Sequence, residues 1–165
     1  MEYSILKLFH IGALILWLGP ALGAWLVFKA VEKEEISPVT EKVNRVFFAM
    51  ITIEHIAFVV LLATGFMMAM TAGWFSAGMS GAPWLSQKLM VIGLIIIPLE
   101  IVDLVLGNWL ALKASNSMYS GEAINQKQKR WLEIYHGPFT KLAIALIPIS
   151  VLLVMYLAVN KLPLF

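Results

Sequence analysis

The chain has 165 residues, 61% of them hydrophobic and 13% charged, with a net charge of +2 and a mean hydropathy of +0.86. A soluble domain of this length has too little interior to hide that much apolar surface, and so small a positive charge leaves no footprint for nucleic acid. No cysteine occurs, which excludes disulfides, thiolate metal sites and cysteine nucleophiles.

These limits point to an all-α integral membrane protein. One domain over 1–165 is expected, an antiparallel bundle of four transmembrane helices at about 4–28, 46–72, 85–112 and 138–160. The opening MEYSILKLFHIGALILWLGPALGAWLVF is longer than a signal-peptide core, and no small-residue cleavage site closes it, so it reads as a retained first span. Gly12, Gly19 and Gly23 lie within it. Gly19 and Gly23 fit the small-x-x-x-small pattern and predict close approach to another helix. The linker AVEKEEISPVTEKVNR is charged but helical in character. Ser37 before Pro38 has the form of an N-cap with proline in the first turn, so the second helix is predicted to start near 38.

The next linker, TAGWFSAGMSGAPW, has no charge. It reads as a membrane-surface loop anchored by Trp74, Phe75 and Trp84. The third linker places Ser120-Gly121 before EAINQKQKRWLEIY, and the third and fourth helices are predicted to meet at a tip near 119–120. Lys29, Lys33, Lys42, Arg45, Lys113, Lys127, Lys129, Arg130 and Lys141 lie toward the charged linkers, against Lys7, Lys88 and Lys161 on the other side. The positive-inside rule then puts both charged tips in the cytoplasm and both termini outside an inner membrane.

Ionisable residues inside a span are costly and by default mark function. The candidates are His10, Glu54, His55, Lys88, Glu100, Asp103, Glu133 and His136. Counted from the tips, Trp17, His55 and Glu100 lie roughly 18–20 residues deep and Asp103 and His136 roughly 16–17, levels that agree within about 5–6 Å. Glu100 and Asp103 are three apart and share a helix face, as do Glu133 and His136. Pro98 removes a backbone donor just before Glu100, a way for a span to open a polar pocket. His10 and Lys88 lie nearer the outer side. They predict a second polar level, rimmed by Tyr3, Trp17, Met67 or Met68.

Two kinds of centre use these materials. His55, His136, Glu100 and Asp103 are the donor types of a non-haem metal site, and Glu133-Ile-Tyr-His136 has the Glu-x-x-His spacing of di-iron bundles. Alternatively, His55 and His136 at similar depth could clamp a haem iron axially, with His10 ligating alone. Glu100 and Asp103, two acids among apolar neighbours, need a cation, a proton or a histidine. The bland readings are a lone hydrogen bond for His10, a snorkelling Lys88 and a solvated Glu133.

FHIGALILWLGPALGAWLVFKAVE, GWFSAGMSGAPWLSQKLMVIGL and RWLEIYHGPFTKLAIALIPISVLLVMYLAVNKLPLF together resemble the HemJ-type protoporphyrinogen oxidases and their CopD-like four-helix relatives. The resemblance covers most of the chain through a few short motifs. It implies a membrane haem-b or porphyrin protein in which His10 and Lys88 carry the function. The chain departs from the family pattern at Glu100, where the third helix of the family has a histidine, and at His55 and His136, which implies a relative with moved ligands.

The leading expectation is therefore a redox protein binding haem b. His10, His55 and His136 are candidate iron ligands with Trp17 beside them, Lys88 pairs with a propionate, and Glu100 and Asp103 accept protons. The alternatives are a non-haem oxidase, a metal or proton pathway, and a structural subunit. Expected partners are the lipid bilayer, a redox protein or quinone, and a second copy of the chain.

Overall fold

The computed structural model describes residues 2–31, 37–76 and 82–164, and no strand occurs among them. Four helices carry the chain: α1 at Tyr3–Val31, α2 at Pro38–Thr71, α3 at Pro83–Tyr119 and α4 at Gln126–Asn160. Each is long and apolar enough to cross a membrane.

Local chemistry sets the ends. Ser37 caps α2 reciprocally: its hydroxyl accepts from the Thr40 N–H at 3.2 Å, and its own N–H donates to Thr40 Oγ1 at 2.9 Å. Pro38 fills the first turn, where no N–H is needed. The tip expected near 36–37 and Lys33 lie at the edge of, or outside, the described residues. So does residue range 77–81 of the uncharged linker. On its two flanks the rings of Trp74 and Trp84 meet edge-on at 5.2 Å, and the Lys161 ammonium sits over Trp74 at 5.5 Å. Near the chain end, the Leu164 N–H donates to Gln87 Oε1 at 2.7 Å.

The α3–α4 connection differs from the expectation. Gly121 takes φ +76° and closes α3 in the left-handed conformation that glycine tolerates. The fourth helix starts only at Gln126, where Asn125 caps it in a reciprocal box with Gln128. Ser120-Gly121 is thus the stop of one helix and not the start of the next. His136 is consequently about 11 residues into its helix, roughly 8 Å shallower than a start at 120 implied.

Two helices widen from i→i+4 to i→i+5 pairing in places. In α3 this happens at Ile92–Ile96 and Leu104–Ala111, and in α4 at Tyr135–Phe139. The first widened turn precedes Pro98, whose missing donor would otherwise break the ladder, and the third contains Pro138. In the third, the Thr140 hydroxyl caps the Tyr135 carbonyl. Such wide turns re-aim the side chains around them.

Along α1 and α2, His10 meets Leu61 and Thr64, Trp17 packs on Phe58 at 5.0 Å, and Phe28 packs on Phe47 at 4.7 Å. Between α2 and α3, buried Ser115 donates to buried Asn44 at 2.9 Å. Two apolar clusters form the interior. One holds Ala13, Trp17, Phe58, Leu61, Ile96 and Val151. The other, nearer the charged linkers, holds Phe28, Phe47, Phe48, Ile51, Ala111 and Tyr135.

The close approach expected at Gly19 and Gly23 is not there. A Cβ added at Gly12, Gly19 or Gly23 would meet nothing within 4 Å, because these positions lie on the outward face of α1. The close approaches occur instead at Gly65, under the His10 ring, and at Gly107, under the Tyr135 ring.

Candidate functional site

Glu100 and Asp103 point inward from the stretch of α3 between its two widened turns. Glu100 is buried, and its Oε1 accepts a hydrogen bond from the Trp17 indole N–H of α1 at 2.9 Å. His55 of α2 faces both acids: its Nε2 lies 3.5 Å from Asp103 Oδ2 and 3.9 Å from Glu100 Oε2. The Tyr135 hydroxyl of α4 lies within reach of Asp103. Glu54, also buried, lies within electrostatic reach of Glu100, Asp103 and Tyr135. Its Oε1 has no hydrogen-bond partner. Each of the four helices therefore contributes a group to one polar cluster.

The orientation of His55 follows from simple chemistry. Its Nδ1 lies 2.7 Å from the Ile51 carbonyl. A carbonyl only accepts, so Nδ1 carries the ring proton and the neutral ring leaves Nε2 bare. A bare nitrogen facing carboxylate oxygens is attractive only with a proton between them. Nε2 has no hydrogen-bond partner of its own, so the arrangement brings one bare ring nitrogen against two carboxyl groups, with Trp17 on Glu100 and Tyr135 beside Asp103 from opposite helices.

His10 is set in the same way at a different place. Its Nδ1 lies 3.0 Å from the Leu61 carbonyl and 3.1 Å from Thr64 Oγ1. The Thr64 hydroxyl already donates to Val60 O at 2.7 Å, so it accepts from the ring. Nε2 is again left bare. The ring lies on Gly65, where a Cβ would come within 3.0 Å of Cε1. Lys88 is its charged neighbour. Of the expected rim, Tyr3 and Met67 are exposed, and Trp17 belongs to the Glu100 cluster instead.

His136 makes no hydrogen bond to either set, although its ring meets that of Tyr135 edge-on at 5.1 Å. Its ring stacks on Phe28 at 4.1 Å, with Phe47 at 5.8 Å and Phe48 at 6.2 Å. The late start of α4 puts it at the level of Phe28, not of Trp17. No hydrogen bond or ring contact joins it to His55 among the described residues. Glu133 is exposed while His136 is buried, so the Glu-x-x-His spacing does not converge on a site. Among the described residues, no group of three or more histidines and acids has a metal-holding arrangement.

Depth counting joined Trp17, His55, Glu100, Asp103 and His136 on one level; the first four meet, and His136 does not join them. Glu54, counted beside His55, is buried at the cluster as expected, whereas Tyr135 is not legible from depth. Gly107 was the available signal for Tyr135, because a glycine facing a span interior admits a large ring from the helix opposite. Comparison of the chain with protein-family models, with curated proteins and with solved structures gives no match.

Proposed function

We propose that the protein is a membrane redox protein related to the HemJ and CopD-like group. In this reading it binds haem b or a related porphyrin and takes up protons at the Trp17–Glu100–His55–Asp103–Tyr135 cluster. The helices would form an antiparallel bundle with both charged tips in the cytoplasm. The opposite chain order of the pairs Trp17–Phe58 and Phe28–Phe47 supports the antiparallel run of α1 and α2.

The observation that carries the reading is the cluster itself: three carboxyl groups and an imidazole, supplied with Trp and Tyr donors, in the interior of four membrane-length helices. Such groups are kept in lipid where they exchange protons or charge. The fit of a porphyrin rests on His10. Its ring proton is committed to a carbonyl, which fixes the ring and raises the basicity of the bare nitrogen, as in iron-ligating histidines. Lys88 nearby suits a propionate. A bound haem supplies one-electron chemistry; the chain's own carboxyl groups and His55 hold the compensating proton.

The test is a redox titration of the haem-loaded protein at several pH values. One proton taken up per electron lowers the midpoint by about 59 mV per pH unit. Glu100→Gln combined with Asp103→Asn should flatten that slope. An unchanged slope in the double variant would remove the cluster from the reaction.

A further inference from the structure

Apolar packing borders the cluster on both sides along the bundle, and on the charged-linker side a cleft opens beside that packing between α2 and α3. Toward the termini the cluster is capped by apolar packing of Phe58, Leu61, Ile96 and Val151. Toward the charged linkers, α2 and α3 part to leave a cleft of about 640 Å³. The paired Glu41 and Arg45 stand at its mouth, Asn44 and Asn116 line it, and Thr52 marks its inner end. A second opening of about 410 Å³ shares Asn116 with it and reaches Asn108.

Thr52 and Asn108 meet where the two openings end. Asn108 Nδ2 donates to Thr52 Oγ1 at 3.3 Å, and the Thr52 hydroxyl donates onward to Phe48 O at 2.9 Å. Asn108 Oδ1 is buried and has no partner. One turn deeper on the same face of α2 is His55, about 5 Å further along the axis. One widened turn back along α3 is Asp103. The Thr52–Asn108 pair therefore stands between a polar cleft and the His55–Asp103 pair.

We propose that the α2–α3 cleft is a water-filled access route for protons, open only from the charged-linker side, with Thr52 and Asn108 as its last polar step. The proposal rests on the cluster being a proton-accepting site. The polar groups of the cleft suit water: carboxamides, hydroxyls and an ion pair line it beside Phe48, Ala49 and Leu112, while the packing next to the cluster on the terminal side is apolar, with the His10–Thr64 pair beyond it. One-sided access has a consequence for function, because each proton taken up during reduction would be drawn from the charged-linker side alone.

The chain has no cysteine, so single cysteines can be introduced without background. Ala49→Cys and Thr52→Cys variants of the full chain would be treated in oriented membrane vesicles with a charged, membrane-impermeant methanethiosulfonate. Ser120→Cys marks the linker side and Val59→Cys the lipid face. Both cleft variants should label from the same side as Ser120→Cys about tenfold or more faster than from the other, since only a wetted thiol ionises to the reactive thiolate. Val59→Cys should stay unlabelled. A Thr52→Cys variant that stays unlabelled, or labels equally from both sides, overturns the route.

Infrared bands of the cluster's carboxyl groups give an independent readout. Asn108→Leu should slow their hydrogen–deuterium exchange about tenfold by removing the last polar step, and an unchanged rate overturns the role of that pair. A labelled cleft with no pH-dependent carboxyl band contradicts the cluster reading. A pH-dependent band behind an unlabelled cleft contradicts the route alone.

Discussion

Trp17 is the residue on which the cluster's geometry turns, because its indole is the donor that ties α1 to Glu100. Trp17→Phe would keep the ring on Phe58 and delete only that donor. Leaving the buried carboxyl short of a partner should cost about 1–3 kcal/mol, measurable as lowered resistance to denaturant in detergent. Tyr135→Phe does the same to Asp103 from α4 and should likewise change its infrared carboxyl band. His10→Ala and His136→Ala separate ligand from packing: the first should abolish haem retention, and the second should leave haem bound and cost stability through the Phe28 stack. Haem content and melting temperature of both variants decide this. Trp17, His55, Glu100 and Asp103 could be placed together by counting alone, because a continuous helix converts residue number into depth. Tyr135 could not, since its position depends on Gly107 of another helix.

The elements show where such counting fails. A helix written as a run of apolar letters does not announce a widened turn, and α3 contains two flanking Glu100 and Asp103. Gly121 before a charged stretch resembles a helix beginning, which is why the sequence points to 120 for the start of α4. Gly121 is the left-handed stop of α3, and the Asn125–Gln128 box is the true start. Asn125→Ala should cost about 1 kcal/mol through the lost cap, readable in thermal unfolding. Gly107→Ala should be more damaging. Its Cβ would fall 2.7 Å from the Tyr135 ring, and the overpacking should cost about 1–3 kcal/mol while lifting Tyr135 off Asp103. A Gly107→Ala variant with unaltered stability and an unaltered carboxyl band would show that the ring is not seated there.

At the scale of the whole molecule, the run of apolar segments predicts four membrane-length helices, and four occur among the described residues. What composition could not convey is how the polar groups divide among them. The acids and His55 gather at one level, His10 and Lys88 lie together elsewhere, and His136 is enclosed by aromatic rings. The division follows from helix lengths and cap positions, which fix the vertical register of each rod. In the proposed reading, proton chemistry falls to the inner cluster and His10 is the histidine left for a ligand. The most direct test is one absorption spectrum of the protein purified in mild detergent from cells making haem, oxidised and then dithionite-reduced, beside its His10→Ala variant. A Soret band and a reduced α-band of b type in the parent, both lost in the variant, are predicted. A parent protein without a Soret band, or a variant that keeps the full spectrum, would contradict the account.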